Sequence, residues 1–150
     1  MKLSTKGRYG LKAAFDLAMN YGLGAIPLKS IAERQEISEN YLEQLISSMR
    51  KAGLVKSERG AQGGYQLAKK PSEITVGDVL RVLEGPLGIA DCLMEDNANP
   101  CPKSDRCITK VVWEKIKDSI TKTVDSISLQ DMCDEAKKRD SCLDSYMYYI

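Results

Sequence analysis

Three of the five cysteines lie within a short stretch of the chain and form its most reactive group of side chains. Eight residues separate Cys92 from Cys101, and five separate Cys101 from Cys107. Thiolates are soft ligands that favour zinc, copper(I) or iron–sulfur clusters. The spacing lacks the paired ligands of a structural zinc site, and a cluster usually takes four protein ligands. The pattern predicts metal or redox chemistry, with three unligated thiols as the alternative.

The other chemistry of the chain is restricted by its composition. There is no histidine among the 150 residues, which removes Ser-His-Asp and Cys-His catalytic arrangements and every zinc site that uses histidine. No Gly-rich phosphate loop of either standard spacing is present. Cys133 and Cys142 lie apart from the other cysteines and are expected to be ordinary thiols, although either could supply a fourth ligand. The chain is therefore predicted not to be an enzyme.

No secretory or membrane signal is visible in the sequence. No apolar run approaches the roughly 20 residues that span a bilayer, and the N-terminus has no long apolar segment of a signal peptide. The odd number of cysteines does not suggest a secreted disulfide framework. We expect a cytoplasmic protein with no membrane partner.

The cysteine segment must be positioned by the elements on either side of it. Periodicity and turn residues predict a mainly α fold with a small β-hairpin wing: a winged helix-turn-helix plus a long dimerisation helix. Residues 1–85 are the expected DNA-binding region, 86–107 a cysteine-containing effector loop, and 108–150 the dimerisation helix with a short last helix and tail, all in one compact domain. Helices are predicted at about 5–21, 28–35, 38–52, 75–84 and 108–126, with strands at 54–57 and 65–68.

The helix that begins after Ser38 has both ends marked. The Ser38 hydroxyl is a suitable N-cap acceptor, Ile37 and Leu42 can form a hydrophobic staple, and Gly53 can close the helix in the left-handed conformation. An apolar stripe predicts one buried face, made of Leu42, Leu45, Ile46 and Met49. The opposite face presents compact polar groups that suit base edges in a major groove, namely Asn40, Glu43, Gln44 and Ser47. An ordinary solvated helix face is the alternative for these four residues.

Charge is divided unevenly between the two halves of the chain. Residues 1–70 carry a net charge of +6 and residues 71–150 a net charge of −5, which together give the overall +1. A basic half is the electrostatic footprint of a protein that binds a polyanion. Two helices joined by about three residues match a helix-turn-helix, and a hairpin follows them directly. Arg59, at the glycine-rich tip of that hairpin, is placed to enter a minor groove; a solvent-facing loop charge is the alternative.

The predicted long helix carries a heptad-like seam. Apolar residues spaced by three or four suit packing against another long helix, and they are Trp113, Ile116, Ile120, Val124 and Ile127. No second long helix is predicted in this chain, so the seam indicates a homodimer through the same helix of a second copy. Packing on the chain's own winged helix is the alternative. The apolar tail Tyr146–Ile150 is expected to be docked rather than free.

Four segments together resemble one bacterial family. These segments are Met1–Gly10, Ile37–Leu45, Gly53–Tyr65 and Asp78–Gly85. They are similar to the iron–sulfur cluster regulator family, the IscR-like winged-helix regulators of the Rrf-two superfamily, and the similarity covers nearly the whole chain. The resemblance implies a homodimeric repressor that binds double-stranded DNA at a palindromic operator.

The resemblance also implies roles for individual residues. Ser38, Tyr41, Glu43 and Gln44 would read the major groove. Arg59 and Gly60 would lie at the wing tip in the minor groove. Cys92, Cys101 and Cys107 would hold an iron–sulfur cluster, of the 2Fe-2S or 4Fe-4S type, whose presence or loss would change operator affinity.

Two departures from the family pattern concern the cluster. Many cluster-binding members have the first two cysteines closer together, and members of this type place a histidine shortly after the third cysteine, where this chain has Lys110. The fourth ligand is left open between Asp91, another carboxylate, a residue of a second subunit and an exogenous molecule. The tyrosine-rich ending resembles the cysteine-metabolism repressors, which lack the cysteine loop. A cluster-free repressor controlled by thiol oxidation or a regulatory protein partner is the alternative function.

Overall fold

The computed structural model describes the backbone of residues 2–147, which form six α-helices and one antiparallel hairpin. The helices are α1 Thr5–Met19, α2 Leu28–Gln35, α3 Glu39–Lys51, α4 Val76–Glu84, α5 Ile108–Ser126 and α6 Leu129–Met147, and the strands are β1 Val55–Glu58 and β2 Gly64–Leu67. Single 3-10 turns occupy Pro71–Glu73, Asp91–Leu93 and Ser104–Arg106. The predicted fold class, mainly helical with a small hairpin, is confirmed.

The core lies where α1, α2 and α3 meet the hairpin and the first turns of α4 and α6. Side chains from each of these elements are fully or almost fully buried, including Leu17, Ile31, Ile46, Leu67, Val79 and Leu129. All four residues of the predicted apolar stripe of α3 are buried. Burial of one face of each helix fixes the relative positions of α2 and α3, which are joined by three residues.

The hairpin follows α3 with almost no linker. β1 pairs with β2 in the register Val55↔Leu67 to Glu58↔Gly64. Strand β1 begins and ends one residue later in the chain than the sequence predicted. Ile26 adds a single bridge to β2, since its N–H donates to Tyr65 O at 2.8 Å and Tyr65 N–H donates to Ile26 O at 2.9 Å. The segment between α1 and α2 thus holds β2 at Tyr65, one pair away from the tip end of the hairpin.

Helix α4 starts at a capping box. Thr75 N–H donates to Asp78 Oδ2 at 2.9 Å, and Asp78 N–H donates to Thr75 Oγ1 at 3.0 Å. Ile74 and Val79, which flank this box in the staple arrangement, are both 0% exposed. These bonds fix the start of α4 just after the hairpin.

The end of α5 is fastened to the start of α4. Val76 N–H donates to Ile127 O at 2.8 Å, and Leu129 N–H donates to Ile74 O at 2.9 Å. Arg81 Nη2 donates to both carboxylate oxygens of Asp125 at 2.6 Å. Helix α5 is therefore anchored at its C-terminal end.

The prediction that the last helix is short is wrong. Helix α6 has 19 residues, as many as α5, so the expectation that the chain has no second long helix is also wrong. A capping box of Ser128 and Asp131 starts it, and no Gly or Pro occurs after Pro102 to stop it. Helix α6 packs against α1 and the turn Pro71–Glu73 rather than along α5. No helix among the described residues is long and apolar enough to cross a membrane.

Candidate nucleic-acid interface and cysteine loop

Helix α3 ends in a tight left-handed turn that leads straight into the wing. Gly53 has φ +80°, and its N–H donates to Arg50 O at 3.0 Å while Leu54 N–H donates to Met49 O at 3.0 Å. This pair of bonds is the Schellman motif. The predicted role of Gly53 is confirmed, and the motif sets the angle between α3 and the hairpin.

At the other end of α3, Ser38 occupies the N-cap position without a side-chain capping bond. Its carbonyl accepts from Leu42 N–H at 2.9 Å, and the residue is exposed. The expectation that its hydroxyl caps the helix is wrong: the backbone of Ser38 has the extended conformation usual for an N-cap residue, but the hydroxyl accepts no bond from the first turn of α3.

The predicted reading face of α3 is open to solvent. Asn40, Glu43 and Gln44 are exposed, whereas Tyr41 is half-buried. The Tyr41 ring meets the Tyr9 ring of α1 edge-on, with centroids 6.1 Å apart and planes at 88°. Lys12 Nζ lies 5.4 Å from the centroid of the Tyr9 ring. Tyr41 is thus oriented by α1, whereas Asn40, Glu43 and Gln44 project into solvent.

A buried acidic residue, which the sequence analysis did not single out, joins α1 to α2. Asp16 is 3% exposed and accepts from Arg34 Nε at 2.9 Å, Arg34 Nη2 at 2.7 Å and Gln35 Nε2 at 3.0 Å. Its carboxylate raises the pKa of the Arg34 guanidinium, mainly because it accepts a hydrogen bond from that group. The only feature of the sequence that could have indicated this contact is the presence of an acidic residue within the apolar pattern of α1. The two-bond arginine fork fixes α2, and with it the turn into α3.

The wing tip presents its cation to solvent. Arg59 and Gly60 are exposed, and Gly60 adopts φ +119°, which an L-amino acid with a side chain rarely takes. Gly63 N–H donates to Gly60 O at 3.0 Å and closes the turn. The backbone at the tip carries little side-chain bulk beside Arg59, which suits a close approach to another surface.

The three cysteines lie in different parts of the loop. Cys92 sits in the 3-10 turn Asp91–Leu93, Cys101 is exposed, and Cys107 directly precedes α5. Two lysines of α5 hold the loop down: Lys117 Nζ donates to Leu93 O at 3.2 Å, and Lys110 Nζ donates to Ser104 Oγ at 2.8 Å. The loop is therefore fastened to α5 near its first and third cysteines.

Hydrogen bonds at the start of α5 favour the thiolate form of Cys107. A hydrogen bond with Thr109 Oγ1 at 3.1 Å and the backbone N–H of Lys110 at the start of α5 lower the pKa of its thiol. Burial raises the pKa of Cys133 instead; the Lys137 charge opposes this shift and the Asp134 carboxylate adds to it. Cys133 is packed in the core.

The donor set suits an iron–sulfur cluster in kind, since soft thiolates are its usual ligands. The arrangement in one chain does not gather them: within residues 2–147 no three Cys, Asp or Glu side chains form a group that could hold a metal ion. Lys110, at the position of the family's histidine, is instead bonded to Ser104. A cluster would require the loop to rearrange around Cys92, Cys101 and Cys107.

Helix α5 is poorly covered by its own chain. None of its 19 residues is buried, and several large apolar side chains near its start are exposed, namely Ile108, Val111, Val112 and Trp113. Ile120 and Val124 of the predicted seam line a cleft shared with Leu80 and Met94. The seam is therefore divided between an intramolecular part and an open part.

A helix-turn-helix whose second helix exposes polar residues and runs directly into a glycine-tipped hairpin defines the winged-helix class of DNA-binding proteins. Comparison with known proteins gives the family. The Rrf2 family model, described as "Iron-dependent Transcriptional regulator", matches residues 3–135. The chain belongs to the Rrf2 family, which confirms the resemblance noted in the sequence.

Named relatives fall into two types. The HTH-type transcriptional regulator CymR of Bacillus subtilis is 45% identical over 150 residues, covering 100% of both chains. The HTH-type transcriptional regulator IscR of Aliivibrio salmonicida is 42% identical over 132 residues, covering 88% of this chain and 77% of the relative. These relatives are transcriptional regulators rather than enzymes.

Solved structures show the same division. The structure of IscR from T. potens has a TM-score of 0.76 at 53% identity, covering 93% of this chain and 90% of that one. The structure of CymR, the global cysteine regulator of B. subtilis, has a TM-score of 0.75 at 45% identity, covering 90% and 98%. The chain is an HTH-type transcriptional regulator of the IscR or CymR type.

Proposed function

We propose that this protein represses transcription by binding a palindromic DNA operator as a homodimer in the cytoplasm, without catalysis. The observation that carries the proposal is the exposed polar face of α3, set beside an exposed wing in the basic half of the chain. In this proposal Ser38, Asn40, Tyr41, Glu43 and Gln44 lie in the major groove. Arg59 and Gly60 reach the adjacent minor groove, whose negative potential attracts arginine.

The homodimer is proposed from α5. A 19-residue helix with no buried residue and an exposed Trp113 needs a partner to cover its apolar side chains. A second copy would place two winged helices with two-fold symmetry, which matches a palindromic operator.

Operator binding is tested by selection from a random duplex library. The expected result is enrichment of an inverted repeat whose half-sites are spaced by about one helical turn. Recovery of unrelated sequences in proportion to the starting library would contradict sequence-specific binding.

For the signal, we propose that Cys92, Cys101 and Cys107 bind an iron–sulfur cluster that reports iron–sulfur, redox or nitric oxide status. The support is the donor chemistry of the loop and the similarity of the chain as a whole to IscR-type relatives. The cluster would supply redox and ligand-exchange chemistry to the loop. The role of the protein in this proposal is to bring the three thiolates together and to shield them.

A cluster-free repressor controlled by thiol oxidation or a protein partner is the second candidate. It is favoured by the full-length match to CymR and by the separate positions of the three cysteines among residues 2–147. Anaerobic purification with absorbance, iron and sulfide analysis separates the two. Visible charge-transfer bands present in the wild type and absent from Cys101→Ala support the cluster; a colourless protein after anaerobic reconstitution supports the second candidate.

A further inference from the structure

The N-cap residue of α1, Ser4, is held by a side chain from another helix. Ser4 N–H donates to Glu84 Oε1 at 2.8 Å, and Ser4 Oγ donates to the same oxygen at 2.6 Å. Ser4 Oγ in turn accepts from Gly7 N–H at 3.4 Å. Glu84 is the last residue of α4, so the end of α4 and the start of α1 share one hydrogen-bond network.

Helix α1 needs this carboxylate for an electrostatic reason. Its first turn contains no acidic residue and includes Lys6, with Arg8 following directly. Positive charge at a helix N-terminus opposes the helix dipole, and a carboxylate there is favourable. Glu84 supplies that missing negative charge from across the structure.

The contact between the two helices depends on two glycines. A Cβ added at Gly7 would overlap Glu84 Oε1, and a Cβ added at Gly10 would overlap the Leu83 side chain. Both glycines are buried. The last turn of α4 therefore lies directly against the backbone of α1.

From this turn of α1 a short path leads to the reading face. Tyr9 follows Gly7 on α1 and makes the edge-on contact with Tyr41 of α3. Thr5 and Tyr9 line one depression together with Ile37, Ser38 and Tyr41. The N-terminal turns of α1 and α3 are thus neighbours.

We propose that Glu84 is a positioning residue for DNA binding: by capping α1 it holds Tyr9, and through Tyr9 it sets the orientation of Tyr41 and the first turn of α3. This inference rests on the proposed function for its biological meaning. Gly85 ends α4 immediately after Glu84 with φ +81°, and the cysteine loop begins there. A change in the loop start therefore acts first on the cap of α1.

The test compares four variants of the full-length chain for affinity to the selected operator and for amide hydrogen exchange. Glu84→Ala removes the acceptor for both Ser4 donors, and Gly7→Ala pushes the carboxylate away from Ser4 while adding a better helix former. Glu84→Gln keeps an oxygen that accepts both bonds. Glu73→Ala is the matched control, because Glu73 accepts from Lys70 N–H at 3.1 Å in a turn that packs on α6.

We expect Glu84→Ala and Gly7→Ala to weaken operator binding about 5- to 10-fold, the effect of losing one helix cap. Amide exchange should become faster both at residues 4–10 and at residues 38–42. Glu73→Ala should match the wild type in both measurements. Glu84→Gln keeps the acceptor oxygen but not the negative charge, so its results should lie between those of the wild type and Glu84→Ala. Partial recovery by glutamine identifies the hydrogen bonds to Ser4 as part of the effect.

Wild-type affinity in Glu84→Ala, or equal loss in Glu84→Ala and Glu84→Gln, would overturn the inference. Failure of the proposed function looks different, because the wild type itself would then show no preference for any duplex. In that case exchange at residues 38–42 decides: unchanged exchange in Glu84→Ala overturns the positioning role, and faster exchange supports the link from α4 to α3.

Discussion

At the scale of single residues, the exposed polar groups of α3 and the wing differ in how firmly they are held. Tyr41 is fixed by an aromatic contact with Tyr9, whereas Glu43 and Gln44 are exposed. Exposed side chains gain fixed hydrogen-bond partners only in a complex with DNA. We therefore expect Glu43 and Gln44 to contribute to base selection. Arg59 lies on a tip of unusual backbone and is expected to contribute mainly charge.

Replacing Glu43 by alanine should relax base preference at one position of each half-site. A carboxylate that accepts from a cytosine amino group distinguishes that base by about 1–3 kcal/mol. The measurement is a competition assay against operators mutated singly at each position, with Glu135→Ala on α6 as a control of the same residue type. Unchanged preference at every position would remove Glu43 from the reading face.

Replacing Arg59 by alanine should weaken binding to all duplexes by roughly 1–3 kcal/mol. Loss of a cation in the minor groove should also reduce the dependence of affinity on salt. Fluorescence anisotropy over a salt series measures both effects, with Arg139→Ala on α6 as the control. An affinity equal to that of the wild type would mean that the wing does not touch DNA.

At the scale of elements, residues with strong local signals were predicted well. The Gly53 turn and the apolar stripes that define α3, α4 and the hairpin depend on residues close together in the sequence, although the predicted side-chain cap of Ser38 does not form. The length of α6 was missed because none of its residues from 134 to 144 is buried, and only the absence of Gly and Pro indicates that the helix continues. The Asp16–Arg34 pair and the Glu84 cap join residues distant in sequence, which no local pattern reveals. The intramolecular part of the α5 seam corresponds to the stated alternative, packing on the chain's own winged helix.

Replacing Asp16 by alanine should lower the free energy of unfolding by about 2 kcal/mol. This is less than the roughly 3–5 kcal/mol for breaking a fully buried ion pair, because the Arg34 side chain is 45% exposed and regains water. Urea unfolding followed by circular dichroism measures the change. The exposed pair of Lys29 and Glu33 on α2 provides the control, since Glu33→Ala should cost no more than about 0.5 kcal/mol.

Equal stability losses in Asp16→Ala and Glu33→Ala would show that the buried carboxylate is not what fixes α2 on α1.

At the scale of the whole molecule, the chain divides into a basic winged helix and an acidic remainder. The end of α5 is bound to α4 by backbone bonds and the Arg81–Asp125 pair, so a dimer built on α5 would carry both winged helices at a defined angle. The family and the DNA-binding fold followed from sequence, whereas the arrangement of the cysteines did not, because an irregular loop has no periodicity to fix it.

Replacing Trp113 by aspartate should convert a dimer into a monomer, because a charge would then be buried in an apolar interface without a partner. Sedimentation velocity measures the mass. Lys122→Asp is the control, since Lys122 is exposed and lies on the opposite side of α5 by helical geometry. A dimer that persists in Trp113→Asp would place the interface elsewhere.

The central claim is that this winged helix binds DNA rather than serving only as a protein-interaction module. The most direct measurement is the affinity of the wild type for its selected duplex and for a shuffled duplex as salt is raised. Neutralising about six phosphates would give a slope of log affinity against log salt near −5, with the selected duplex bound more tightly throughout. Salt-independent binding, or equal affinity for both duplexes, would contradict the claim.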